Sequence, residues 1–417
     1  MMRERGASGV TPLDRAERRF LLLFLPVAFG FGGRMALVVF NGPLARLFTD
    51  NGYLIGILLA VGPLVAALVN PAIGRFSDRT WTRFGRRLPL ALVGVPLSTL
   101  ILFVIPSSPG YAVLLLLFVL RALLTALAGV PLMSLIPDMT TPEKRGRAMA
   151  LFMLAGGIGA IAVQVSGKFY WESHFEWVYY LTGVLALAAV PTLFFIHEPR
   201  PDDAELEAAR RRKGLSLRAL ANALFRGEPV AVFLASAALR YLGIGIVLSY
   251  VTLFAMTDLG ISVGDAALAI AAAGAVRLLL AIPSGRLADR WNRKKLLLGT
   301  TAMAALLHLC TAFVVWNLQG LYVVLLVGAV LGTLDMIVSG PLFMDLMPAD
   351  QRGELTGINM VLQNVFRAAG ALLGGSVFAW TGGYRLSFAA AALCFAIAVT
   401  LLARVRVPTF ASAAARP

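Results

Sequence analysis

Charge is scarce in this chain. Only 14% of its 417 residues are Asp, Glu, Lys or Arg, while 59% are hydrophobic. The mean hydropathy of +0.81 lies well above the range of soluble domains, so a water-soluble globule is excluded. The sequence has three histidines and two cysteines. Cys310 and Cys394 both lie in apolar runs, so neither a disulfide framework nor a Cys/His metal cluster is expected. There is no GxxxxGK[ST] loop and no HExxH, which removes nucleotide-driven pumping and recognisable metal chemistry and leaves no cofactor to expect. An integral-membrane enzyme would show paired carboxylates, or a nucleophile with a base, at one membrane depth, and no such pair is found. Any driving force for work across a membrane must therefore come from a gradient.

Acid is the rarer sign, with 22 Asp and Glu against 37 Lys and Arg. A net charge of +15 in a soluble chain would point to nucleic acid, so the placement of the basic residues decides its meaning. A helix needs about 20 largely apolar residues to cross the hydrocarbon layer, where no water satisfies a broken backbone hydrogen bond. Twelve windows meet that test: 20–40, 53–72, 88–106, 111–136, 148–168, 177–197, 229–256, 263–283, 295–315, 320–344, 354–379 and 384–403. With both termini inside, 29 of the 37 basic residues fall in cytoplasmic segments. Only Arg46, Lys168 and Arg385 fall outside, and five lie within spans. The positive charge is thus a topology signal of a multi-pass inner (plasma) membrane protein, and no nucleic-acid partner is expected. The basic stretch Met1 to Arg19 before apolar Phe20 to Phe40 reads as the flank of a first span, because no small-residue cleavage site follows.

The spans divide six and six about the longest connection, giving bundles at 1–197 and 229–417 and a cytoplasmic linker at 198–228. Within the linker, Leu217, Leu220, Leu224 and Phe225 recur at helical spacing opposite Arg218, as in a helix lying flat on lipid. The halves repeat. GRFSDR at 74–79 returns as GRLADR at 285–290, and Asp138 with Arg145 and Gly146 returns as Asp345 with Arg352 and Gly353. Duplicated halves suit a path that opens alternately to either side.

Read in full, the loop after the second span carries Gly74, Asp78, Arg79, Arg83, Gly85, Arg86 and Arg87, and its counterpart carries Gly285, Asp289, Arg290, Arg293, Lys294 and Lys295. These loops resemble the signature of the major facilitator superfamily. Glycine permits a sharp turn and close helix approach, Asp can pair with a neighbouring Arg, and the basic cluster anchors the loop. Two readings stand: the Asp pairs form in one state only and act as a gate, or the loops merely fix topology. The run SDRTWTRFGRR, with NPAIG before it and PLMSLIPDMTTPEKRGRA after the fourth span, resembles the glycoside-pentoside-hexuronide cation symporters and the related sucrose transporters. The resemblance implies an all-α membrane fold of twelve helices in two pseudo-symmetric six-helix bundles, and a sugar-like substrate taken up with a proton or cation. Such symporters place cation-site carboxylates in early helices, whereas the first, second and fourth spans here contain no Asp or Glu, which speaks against sodium coupling.

Six ionisable residues lie inside spans: Arg34, Arg121, Arg240, Arg277, Asp335 and Arg367. Each costs about 2.5 to 3.5 kcal/mol near mid-membrane and should face protein or a watery cavity. In the facilitator fold that the sequence resembles, the first, fourth, seventh and tenth helices line the cavity, and here each carries one charge: Arg34, Arg121, Arg240 and Asp335. Asp335 is the only acid deep in any span and the candidate proton carrier; a static Asp–Arg pair is the competing account. On the eleventh span Asn359, Gln363 and Arg367 recur at spacings of four, forming a polar stripe for substrate or for helix association. Asn41 and Gln164 are weaker single cases, and His308 reads as a packing residue. Gly156, Gly157, Gly159, Gly374 and Gly375 read as sites of close helix packing. The expected protein is a monomeric secondary transporter working by alternating access on a small-molecule substrate, with the lipid bilayer and protons as further partners. Sugar or glycoside uptake with protons is the first expectation. Export or exchange of organic anions or amphipathic compounds is the second, because five Arg against one Asp make the spans positive. A non-transporting sensor or assembly factor is the rival of another class.

Overall fold

The computed structural model describes residues 14–141, 144–198, 229–347 and 352–405, with the side chains of 282, 285–290, 353 and 354 outside that description. The amphipathic linker expected at 198–228 lies outside the described residues, save Glu198. The described chain consists of helices joined by short turns: α1 (Arg15–Arg46), α2 (Gly52–Arg79), α3 (Leu88–Ser107), α4 (Tyr111–Met139), α5 (Arg145–His174), α6 (Glu176–Leu193), α7 (Pro229–Asp258), α8 (Val263–Arg290), α9 (Arg293–Phe313), α10 (Leu318–Leu346), α11 (Arg352–Thr381) and α12 (Arg385–Arg404). Eleven are long and apolar enough to cross a membrane. The remaining one, α11, has the length at 30 residues, but its stripe of Asn359, Gln363, Asn364 and Arg367 lowers its hydropathy. Packing between α2 and α7 gives those polar groups a protein surface to face.

The sequence writes several helix starts directly. Asn51, Asn292 and Asn317 each accept a hydrogen bond from a backbone N–H in the first turn of α2, α9 and α10. At the start of α1, Asp14 and Glu17 cap one another's backbone reciprocally. The first span bends at Leu37, where its regular hydrogen bonding is interrupted between Ala36 and Val38.

Packing partners repeat at an offset of six helices. In the first bundle α1 lies on α5 and α6, α2 on α4, and α3 on α4 and α6; in the second α7 lies on α11 and α12, α8 on α10, and α9 on α10 and α12. Between bundles α2 meets α11 and α5 meets α8, which is one contact repeated by the pseudo-twofold, while α1 meets α7 across the axis itself. Glycine permits the tightest of these approaches. Gly32 of α1 faces the Gly156 backbone of α5 so closely that a Cβ on Gly32 would overlap it, and Gly159 faces Phe29 in the same way. Gly157 turns the other way, toward Leu278 of α8. Thus the glycine cluster of α5 serves two neighbours at once.

The end of the bundle that carries the basic loops is here termed the basic end, and the opposite one the far end. Cross-bundle contacts run from the far end to mid-span, where Gly157 of α5 meets Leu278 of α8. Gly52 abuts Gly375, a Cβ on Gly56 would stand 3.1 Å from the Ala371 carbonyl, and one on Gly264 would stand 3.0 Å from the Lys168 backbone. Lys168 Nζ binds Asp265 Oδ1 at 2.6 Å, the Gly264 N–H donates to Glu172 at 3.4 Å, and the Arg46 guanidinium lies 5.3 Å from the Phe378 ring centre. Toward the basic end the approach relaxes: a Cβ on Gly62 or Gly146 would meet nothing within 4 Å, and one on Gly74 would meet only Val130 of its own bundle, at 3.7 Å. The far end is therefore the sealed one.

Two predictions follow from this packing. Gly32→Ala should destabilise the protein by about 1 to 3 kcal/mol through overpacking of α1 on α5, read as a lowered thermal unfolding midpoint in detergent. Lys168→Glu should place like charges beside Asp265 across the seal and lower the thermal unfolding midpoint in detergent, and Asp265→Lys on the same chain should restore part of the loss.

Candidate functional site

The charges inside the spans form two clusters, one in each bundle. In the second, Arg240 of α7 binds Asp335 of α10 at 2.6 Å and donates to Ser339 Oγ at 3.2 Å. Asp335 and Ser339 are four apart and share a face of α10, so one guanidinium reads both. The side chain of Arg240 is 3% exposed and that of Asp335 26%, which makes the acid the accessible partner and the base the buried one. The Phe233 ring centre lies 5.9 Å from the guanidinium and screens it on another side. Next to Arg240 in sequence, the Tyr241 hydroxyl donates to Asn359 Oδ1 at 3.4 Å, linking the pair's helix to the stripe on α11. Gln363 and Arg367 continue that stripe, both half-buried. Arg367 Nε is buried without a hydrogen-bond partner, and the Arg367 backbone is pressed against Gly245 of α7.

The first bundle holds Arg34 and Arg121. Arg34 Nη1 donates to Ser98 Oγ at 2.9 Å and to Thr99 Oγ1 at 3.4 Å on α3. Both hydroxyls give their own protons to the Val95 carbonyl, at 3.1 and 2.6 Å, so they meet the guanidinium as acceptors. Arg121 of α4 donates to the Arg34 backbone carbonyl at 3.1 Å. Among the described residues neither arginine has a carboxylate within ion-pair distance. Arg34 thus points into its own bundle, between α1 and α3. The structure brings Arg34 together with Arg121, and Arg240 together with Asp335, but leaves the two clusters separate. Arg277 stands apart on an exposed face of α8. Of the weaker cases, Gln164 is buried, Asn41 Oδ1 is buried without a partner, and the His308 ring packs 5.2 Å from that of Phe395.

At the basic end the signature loop closes into a charge network. Arg87 binds Asp78 of α2 at 2.7 Å and Asp138 of α4 at 3.2 Å, and Arg86 binds Asp138 at 2.8 Å. Gly85 takes φ +106, where a side chain is strained, in a tight turn whose N–H and carbonyl exchange hydrogen bonds with Thr82 at 3.0 Å. A Cβ at Gly85 would also meet the Glu198 carboxylate at 2.5 Å. Glu198 accepts from the N–H groups of Arg86, Arg87 and Leu88 at 2.8, 2.8 and 2.6 Å, capping the amino terminus of α3 with a full negative charge. The second half repeats part of this. Arg293 binds Asp345 at 2.7 Å, and both residues stand 207 beyond Arg86 and Asp138 (293 − 86 and 345 − 138). Gly285, Asp289 and Arg290 close α8, with side chains outside the described residues, as Arg79 closes α2.

Sequence reading missed Glu198, Ser98, Thr99, Ser339 and Tyr241. Only Glu198 left a usable signal, an acid directly after a span and before a proline. The hydroxyl residues are common in spans, and nothing in their spacing marks them. Arg87→Ala should cost about 1 to 3 kcal/mol by leaving Asp78 without its cation while Asp138 keeps Arg86, and adding Asp78→Asn should recover part of that loss, as measured by thermal unfolding of the single and double variants.

Similarity to known proteins agrees with this architecture. The family model described as Major Facilitator Superfamily matches residues 22–254 and 233–416. Sucrose transport protein SUC3 of Arabidopsis thaliana is 28% identical over 200 residues, which are 42% of this chain; the match spans 33% of that longer protein. Among solved structures, a bacterial homolog of the human lysosomal transporter Spinster, in an inward-facing and occupied conformation, superposes with a TM-score of 0.74 at 16% identity over 94% of this chain and 97% of that one. A D-xylose-proton symporter superposes with a TM-score of 0.72 at 18% identity, covering 94% of this chain and 98% of that one. Identities this low show a shared fold and no more. With both bundles inside the matched ranges, the chain belongs to the Major Facilitator Superfamily and is a membrane transporter rather than an enzyme.

Proposed function

We propose that this transporter takes up a sugar or glycoside together with a proton, from the far end to the basic end, with the far end outside the cell. The observation that carries the reading is the Arg240–Asp335 pair, a deep carboxylate that is partly accessible and held by a sealed guanidinium. Protonation of Asp335 cancels its charge and frees Arg240, so the two protonation states bind their surroundings differently and bias the two forms of the carrier differently. Ser339 meets the pair directly, and Tyr241 of α7 with Asn359 and Gln363 of α11 add neutral donors and acceptors on neighbouring helices, suited to a polyhydroxyl solute. The carriers named above for sucrose and for D-xylose with protons support the same cargo class. The excess of Lys and Arg at the basic end supports a cytoplasmic position for it, and uptake would then release the cargo there.

In proteoliposomes, Asp335→Asn should lower pH-gradient-driven sugar uptake at least about tenfold while sparing counterflow exchange, which needs no net proton movement. Full gradient-driven uptake by the variant would remove Asp335 from the coupling step.

A further inference from the structure

We propose that Arg34 and Arg121 hold a small anionic group, either a halide-sized ion or the carboxylate of a solute, inside the first bundle. The site lies in the opposite bundle from Asp335 and does not depend on the identity of the cargo.

Elsewhere in the described residues this chain gives its buried cations a carboxylate, the half-buried Arg367 excepted. Arg87 has Asp78 and Asp138, Lys144 has Glu17 at 2.8 Å, and Arg240 has Asp335. Arg34 and Arg121 are neighbours, so each feels the other's charge, yet the groups that meet the Arg34 guanidinium are neutral: the hydroxyls of Ser98 and Thr99, and the Phe31 ring centre at 6.0 Å. Buried charges are ordinarily paired, and a pair of like charges without a counter-charge is the least tolerable arrangement in hydrocarbon. Unused donors remain on both. Arg34 Nε and Arg121 Nε are buried without hydrogen-bond partners, and so is the hydroxyl of Tyr179, which lies close enough to Arg121 to interact with its charge. Two guanidinium groups and a phenol are a donor set with no acceptor of matching charge, and a carboxylate or halide accepts several such bonds at once. Arg121 is half-buried and Arg34 is 3% exposed. Apolar Val27, Phe31, Val95, Ala186 and Leu193 close against the inner guanidinium on the side away from Arg121, so an anion would have to meet Arg34 from the Arg121 side.

The test uses the full chain in nanodiscs in a HEPES buffer free of small anions, with sodium chloride and sodium glucuronate titrated separately and glucose as the neutral control. A saturable rise in the thermal unfolding midpoint with chloride places the source in free ions, and a rise with glucuronate alone places it in a solute carboxylate. In either case Arg121→Gln should weaken the half-saturating concentration at least tenfold, and Asp335→Asn should leave it unchanged. Should Arg121→Gln fail to fold, Arg121→Lys and Arg34→Lys, which keep the charge and lose the planar fork, should weaken it in the same direction. The proposal is overturned if neither anion moves the midpoint of the parent protein, or if the shift survives undiminished in these variants. Loss of proton coupling in Asp335→Asn with the anion response intact separates this site from the coupling site.

Discussion

A guanidinium placed in hydrocarbon has no water to answer its charge, and the way each span-borne arginine is answered organises the whole molecule. Arg240 is answered by an ion, Asp335 on a facing helix. Among the described residues Arg34 and Arg121 are answered by hydroxyl and carbonyl dipoles, with the Phe31 ring beside Arg34. Arg277 reaches an exposed face, where its long stem can carry the charge toward a wetter depth. These are three solutions of unequal stability. The first holds a deep carboxylate, the second leaves guanidinium donors without a counter-charge and the third meets the surface, so similar residues stand in three different settings.

Close backbone contact is the other requirement, because lipid supplies no hydrophobic drive for helices to associate. The glycines of α1 and α5 provide it within the first bundle, and those of α2 and α11 provide it between bundles at the far end. A rigid pair of bundles touching at one end can rock about that contact, whereas bundles sealed along their full length could not. Lys168 with Asp265 adds a polar lock that an opposing movement has to break.

Much of this was legible in the residues. The long apolar runs gave eleven spans, and the polar α11 was readable as a span because its length and its place in the six-plus-six order outweighed Asn359, Gln363 and Arg367. The repeated Asp138 and Asp345 marked equivalent depths, and the structure joins them to Arg86 and Arg293 at the same offset. The pairing of Arg240 with Asp335 stood open beside a proton-carrying role, and the structure shows the pair directly. What could not be read was direction. Placement of Arg34 on the first helix gave its depth and not its rotation about the axis, so its turn toward Ser98 and Thr99 of α3 was invisible. Contacts between residues 64 apart leave no periodicity to find, and Ser and Thr signal nothing specific by their presence in a span.

The cap on α3 carries a consequence for the order in which the molecule is made. Three N–H groups at the start of that helix take their acceptor from Glu198, which lies 110 to 112 residues further along the chain. Until that carboxylate emerges from the ribosome, the amino terminus of α3 has only water or headgroups to bind, and the Gly85 turn has no ligand to fold around. The clasp that completes the first bundle is thus the last piece of it to be synthesised, and it arrives just before the chain departs toward the second. The first half thus cannot be fully fastened until its last span has been made.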